Sequence, residues 1–288
     1  MLGIGIGITK RRFQSGDIFS DAEGLYSLRE LGTEPNAIRV RRASDNAEAN
    51  IGFSSGDLNT TVLTAFCSGT DGFVTTWYDQ SGNGYHLTQT SLAYQPKIYD
   101  TVSGVLSFNG KPAMLYDGVD DYLQNSTLGS VMNGEDTDLS VFINLQKSST
   151  AWDQVWEMDH ATNAAVYIYN AMNGSSKLES LKRSSIQAVV GSTLNYSANT
   201  PYIHQVLYSG VNAYSYLNNV NYITAILNVP AFSGAYELSY FTLGAKFRAS
   251  TPGDQFGGYF NECIIYPSYK EGSRGDILSN LNTYYSVY

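Results

Sequence analysis

Apolar and polar residues alternate along most of this chain, and the alternation has the period of a strand. LSVFINLQ (139–146), AAVYIYNA (164–171), YIHQVLYSG (202–210), NAYSYLNNVNYI (212–223), YELSYFTLG (236–244) and GGYFNECIIY (257–266) each alternate or are dense in β-branched and aromatic residues. In AIRVRRASDN, Ile38 and Val40 point one way and Arg39 and Arg41 the other. Asn218-Asn219 sits where a tight hairpin turn is needed. Helical spacing is rare. GDLNTTVLTAFC (56–67) predicts a short helix capped by Asp57 or Asn59, with Val62, Leu63 and Phe66 turned inward. Ile277, Leu281 and Tyr284 predict a C-terminal amphipathic helix, and Leu25 to Leu31 reads as a short helical or turn segment. Many short strands with few helices define an all-β sandwich or jelly roll. At the start, Ile4, Ile6 and Ile8 alternate with glycines. That pattern is either an edge strand of the main sheet or an arm that adds a strand to a neighbouring subunit. The expected organisation is an arm over residues 1–15 and one domain over 16–288.

Composition narrows the classes of function. Of 288 residues 43% are hydrophobic, which supports a packed core, and only 15% are charged. Asn, Ser, Thr and 23 tyrosines fill the polar positions instead, which suits uncharged hydrogen bonding to sugars or protein. The net charge of -9 argues against binding nucleic acid through its phosphates. The first residues lack the layout of a signal peptide, and their apolar run is too short to span a bilayer. Cys67 and Cys263 fit no metal motif and read as buried thiols.

Candidate chemistry concentrates in two stretches. WDQVWEMDH (152–160) places Asp153, Glu157 and Asp159 among Trp152, Trp156 and His160, the residue types of a glycosidase cleft. TTWYDQSGNGYHLTQ (75–89) ends a strand at Trp77 and Tyr78 and then reverses sharply. Gly82 and Gly84 supply positive φ there, Asn83 tolerates it, and Asp79 is placed to accept the turn's N–H groups. Trp77, Tyr78, Trp152 and Trp156 are the candidate sugar-stacking residues. The acidic clusters Asp117, Asp120, Asp121 and Glu135, Asp136, Asp138 offer oxygen ligands, so calcium is the one cofactor left open and no other metal is expected.

FVTTWYDQSGNGYHLTQT (73–90) closely resembles a segment of the arabinofuranosidase B catalytic domain, and the likeness extends through AIRVRRASDNAEANI and FTLGAKF. LSFNGKPAMLYDGVDDYL and GGYFNECIIY are similar to the laminin G-like and concanavalin A-like jelly roll. The resemblance implies a concanavalin A-like β-sandwich and a retaining arabinofuranosidase with two carboxylates. Its nucleophile would fall at or beside Thr162, and its acid/base shortly after Leu243-Gly244, where AKFRAS carries no carboxylate before Asp254. The combination YSLREL…IRVRRASDN…TTWYDQSGNG also resembles bacteriophage tail, fibre and other virion proteins. The leading expectation is therefore a non-enzymatic structural or carbohydrate-binding module of a phage particle. It would assemble in the host cytoplasm as a homo-oligomer, docked to other virion subunits through Ile4, Ile6 and Ile8, with a glycan as its further partner. The alternatives are an arabinofuranosidase-like retaining hydrolase using Glu157 or Asp159 with Asp254 or Glu262, and a free-standing lectin.

Overall fold

The computed structural model describes residues 17–134, 138–173, 177–183, 187–191, 196–210, 212–226, 232–248 and 251–288. The arm with Ile4, Ile6 and Ile8 lies outside the described residues, as do Glu135 and Asp136.

The chain folds into two antiparallel sheets packed face to face, the concanavalin A-like sandwich. The front sheet runs in the order Glu48–Ser54, Asn36–Arg42, Gly72–Trp77, Leu87–Thr88, Leu123–Asn125, Tyr240–Leu243, Asp153–Asp159, Tyr167–Asn173, Lys177–Arg183 and Gln187–Gly191. In the back sheet Gly257–Tyr266 pairs on one side with Gly24–Ser27 and Met114–Asp117, and on the other with Leu139–Lys147. Pro201–Ser209, Asn212–Leu217 and Val220–Ile226 follow outward. Lys97–Asp100 bonds to strands of both sheets and joins them at one edge.

The period of two decides what lies between the sheets. Ile38, Val74, Trp77, Leu123, Leu243, Trp156 and Met158 from the front meet Val141, Ile143, Leu145, Val206, Phe260 and Ile265 from the back in one core. Full burial of each such side chain is worth about 1.5–3 kcal/mol. The other face of the back sheet, through Phe142, Leu207, Ile264 and Tyr266, is covered by Ile277, Leu278, Leu281 and Tyr285 of the C-terminal helix Arg274–Tyr285.

Two local expectations are corrected. Leu25 to Leu31 begins as the strand Gly24–Ser27, because cross-strand pairing with Glu262 to Ile265 overrides its local propensity. The short helix Thr60–Phe66 is capped by the Asn59 side chain, but only Leu63 is buried, and Val62 faces solvent.

Candidate functional site

In the strand Asp153–Asp159, Trp156 and Met158 point into the core, so Glu157 and Asp159 project from the outer face of the front sheet. A bulge between Gln154 and Trp156 shifts the register and brings Gln154 to that same face. Its amide donates to Glu157 Oε2 at 2.7 Å.

The chain beyond Leu243-Gly244 forms a hairpin of Lys246–Arg248 with Thr251–Gly253, and the hairpin lays Arg248 over the carboxyls. Arg248 Nε donates to Glu157 Oε1 at 3.0 Å and Nη2 to Oε2 at 2.9 Å. The guanidinium carbon stands 3.3 Å from the centroid of Tyr167 and 5.3 Å from that of Tyr169, so the fork is clamped between carboxylate and rings. Beneath this cover both carboxyls are buried, Glu157 at 0% and Asp159 at 2% exposure.

Burial raises the Glu157 carboxyl, while the hydrogen bonds and charge of Arg248 pull it down. Asp159 lacks such a partner. Burial and then the charge of Glu157 push it up to about 9, and its Oδ2 has no protein hydrogen-bond partner. At neutral pH Asp159 therefore holds a proton beside a carboxyl that is paired to a cation. Burial leaves the Glu157 carboxyl raised overall, but only Glu157 is hydrogen-bonded by Arg248, so the two neighbouring carboxyls sit in different electrostatic environments, the pattern that divides an acid from its nucleophile or base.

The outer face continues across the sheet as one polar row. Register pairs Glu157 with Thr242, Thr242 with Gln124, Gln124 with Thr88, Thr88 with Thr76, and Thr76 with Arg39. Gln124 Nε2 donates to Thr242 Oγ1 at 2.8 Å, which ties the middle of the row to the neighbour of Glu157.

Other candidates fall elsewhere. Glu262 faces the C-terminal helix on the far side of the back sheet, where its carboxylate accepts from Ser27 Oγ, Arg29 Nε and Nη2 and Tyr285 OH. Both sheets separate it from Glu157, so the two cannot share a substrate. Asp254 is exposed and pairs with Lys246 at 2.7 Å. Asp153 turns to the buried Lys147 and accepts from Gly257 N–H. Trp77 and Trp156 are fully buried core residues and cannot stack on a ligand, because the strand parity that puts Tyr78 and Glu157 on the outer face turns them inward. Trp152 is 37% exposed on the approach to its strand. Tyr78 is half-buried, packs its ring against His86 and donates to Asn50 Oδ1.

Asp79 accepts the N–H groups of Leu25, Ser81 and Tyr85 and the Ser81 hydroxyl. Gly82 and Gly84 take φ of 97° and 81°, and Asn83 Nδ2 donates to Glu23 O. Gln80 works at long range. It accepts from Leu31 and Gly32 N–H and donates to the carbonyls of Ser27 and Arg29. Asp117, Asp120 and Asp121 have carboxylate oxygens within 4.8 Å of one another, with Asp121 pushed up to about 7, chiefly by burial. Thr162, near the position implied for the nucleophile, is exposed in the loop after the strand, and its N–H donates to His160 Nδ1. Sequence reasoning missed Arg248, Gln154, Tyr167 and Tyr169, which only the bulge and the hairpin bring to the carboxyls.

Comparison with known proteins agrees with this architecture. Residues 33–109 match the family model "Alpha-L-arabinofuranosidase B, catalytic". Over 52 residues the chain is 50% identical to an alpha-L-arabinofuranosidase of Hypocrea jecorina, and over 53 residues 45% identical to a probable alpha-L-arabinofuranosidase B of Aspergillus terreus. Each match spans 18% of this chain and 10% of the relative's length. A solved arabinofuranosidase complexed with arabinofuranosyl-alpha-1,2-xylobiose superimposes with a TM-score of 0.65 at 15% identity, over 90% of this chain and 62% of that one. A GH54 α-L-arabinofuranosidase soaked with a cyclic sulfate inhibitor gives 0.66 over the same shares, also at 15% identity, a likeness of fold. These matches overturn the expectation of a non-enzymatic module of a bacteriophage particle. The family model, both curated relatives and these two structural neighbours are arabinofuranosidases, and none is a virion protein.

Proposed function

We propose that this chain is a glycoside hydrolase of arabinofuranosidase type, working on the outer face of the front sheet. The observation that carries the reading is the buried carboxyl pair, with Asp159 pushed up to about 9 and Glu157 held by Arg248. Asp159, protonated at neutral pH, is the general acid that protonates the leaving oxygen. Glu157, covered by Arg248 at rest, becomes accessible when substrate displaces the Lys246–Arg248 hairpin, and is then the carboxylate that meets the developing positive charge at the anomeric carbon, as nucleophile or as base for water. Arg248 and Gln154 are positioning residues that hold the Glu157 carboxylate in one orientation. The match to the arabinofuranosidase family model and the fold likeness support the sugar class.

Turnover of two substrates tests the roles. One is 4-nitrophenyl α-L-arabinofuranoside, whose phenol leaves without much help from an acid; the other is arabinofuranosyl-α-1,2-xylobiose, whose alcohol does not. Glu157→Gln should lower kcat on both substrates. Asp159→Asn should lower it by about 10²–10⁴-fold on the xylobiose and far less on the nitrophenyl glycoside. A wild-type protein that releases neither nitrophenol nor arabinose above the uncatalysed rate overturns the reading.

A further inference from the structure

Beside the carboxyl site the front sheet carries a groove of about 410 Å³, lined by His86, Thr88, Ser91, Tyr122, Gln124 and Asn125 among others. Among the described residues no Asp, Glu, Lys or Arg lines it. We propose that this groove is a separate binding subsite for an uncharged oligosaccharide, the part of a glycan chain that extends away from the bond to be cleaved.

The groove has the chemistry of neutral-sugar recognition. Its lining is hydroxyls, amides, an imidazole and one phenol ring, the few directional groups plus aromatic surface that a polyol needs. Anionic sugars and phosphates require a cation for tight binding, and none is present in the lining. The polar groups are held in place. His86 Nδ1 accepts the Asp79 N–H at 3.1 Å, which leaves the ring proton of the neutral imidazole on Nε2 as a donor. Asn125 Nδ2 donates to His86 O at 3.0 Å, and its Oδ1 accepts from the N–H groups of Thr127 and Leu128. Tyr122 packs between Tyr94 and Phe247, with centroids 5.8 Å and 5.5 Å away, so its ring is braced rather than free to swing.

The groove also lies in line with the carboxyls. Thr88, Gln124, Thr242 and Glu157 are successive partners in the polar row. Three strand spacings put Thr88 about 14 Å from Glu157 across the sheet. Phe247, which braces Tyr122, directly precedes Arg248 in the hairpin, so the same element borders both sites. A glycan crossing the strands would therefore meet the groove at one end and Asp159 and Glu157 at the other. The link to hydrolysis rests on the proposed function, but binding in the groove does not require it.

The test is an NMR titration of the full chain with linear xylotetraose, which carries no arabinose and is not consumed. Saturable shifts are expected at backbone amides of residues 86–91 and 122–126, and they should persist in Asp159→Asn. His86→Ala should weaken binding at least fivefold. Thr88→Trp, a change at an exposed position that fills the groove without touching the core, should abolish it. An acidic oligogalacturonide of equal length should bind at least tenfold more weakly. Absence of saturable shifts, shifts unaffected by Thr88→Trp, or equal binding of the acidic sugar would each overturn the subsite. Failure of the hydrolase reading would show instead in the arabinofuranoside assays.

Discussion

Glu157 and Asp159 are two residues apart on one strand and face the same way, yet Arg248 hydrogen-bonds Glu157 and opposes the upward push of burial on its carboxyl. Removing the cation leaves Glu157 buried with the weaker support of the Gln154 amide, the Phe247 backbone and the charge of Lys246. Arg248→Met should therefore raise the Glu157 carboxyl further and shift the acid limb of the pH–rate profile upward, with kcat/KM down at least 10-fold; an unmoved limb would separate Arg248 from the site. Gln80 presents the opposite case, a side chain whose whole work is structural. Its amide satisfies two donors and two acceptors on the backbone between Ser27 and Gly32. Gln80→Ala strands these groups, and each unmade buried bond costs about 1–3 kcal/mol. Urea denaturation should show a loss of at least that size, whereas Ser81→Ala, at the half-buried edge of the turn, should lose less.

At the scale of elements, strand parity decides which residues stand on the polar outer face and which are core. Within WEMD, Trp156 and Met158 are sealed between the sheets, and Glu157 and Asp159 stand on the outer face. Trp156→Ala should cost about 3–5 kcal/mol in equilibrium unfolding, the scale of a large-to-small core change. The C-terminal helix ends with Ser286 at φ 51°, in the left-handed region that glycine occupies without strain. Ser286→Gly should raise stability by up to about 1 kcal/mol, read as a higher melting temperature. The stretch YDQSGNG is an element of the same kind. Asp79, Gln80 and Asn83 bind backbone between Glu23 and Gly32, so the turn fastens the first back-sheet strand to the interior front-sheet strands Gly72–Trp77 and Leu87–Thr88.

Over the whole molecule, burial of ionisable groups sets the response to pH. The folded-state pKa of Asp159 is near 9, against an ordinary value of 3.8. Between those values the folded protein keeps a proton that the unfolded chain has lost, so stability falls as pH rises from about 4 to about 9. Asp121, raised to about 7, adds to the same slope over its lower part. Denaturation midpoints at pH 5 and pH 9 should differ in wild type, and Asp159→Asn should shrink the difference. Equal midpoints in wild type would mean that Asp159 ionises freely.

The all-β architecture was legible in the sequence because a period of two is a property of the backbone itself, present in LSVFINLQ and GGYFNECIIY before any tertiary contact forms. The same local logic marked the Asn218-Asn219 turn and the C-terminal helix. It also marked Glu157 and Asp159 as carboxyls among aromatics. What no window of sequence contained is the partner of each carboxyl. Glu157 meets Arg248, 91 residues later, and Glu262 meets Arg29, 233 residues earlier. Those pairings depend on which strands become neighbours and on which side of a sheet a hairpin returns. Packing of the two sheets fixes both, and that is why tertiary structure alone made Glu262 a structural ion pair and left Asp159 holding a proton.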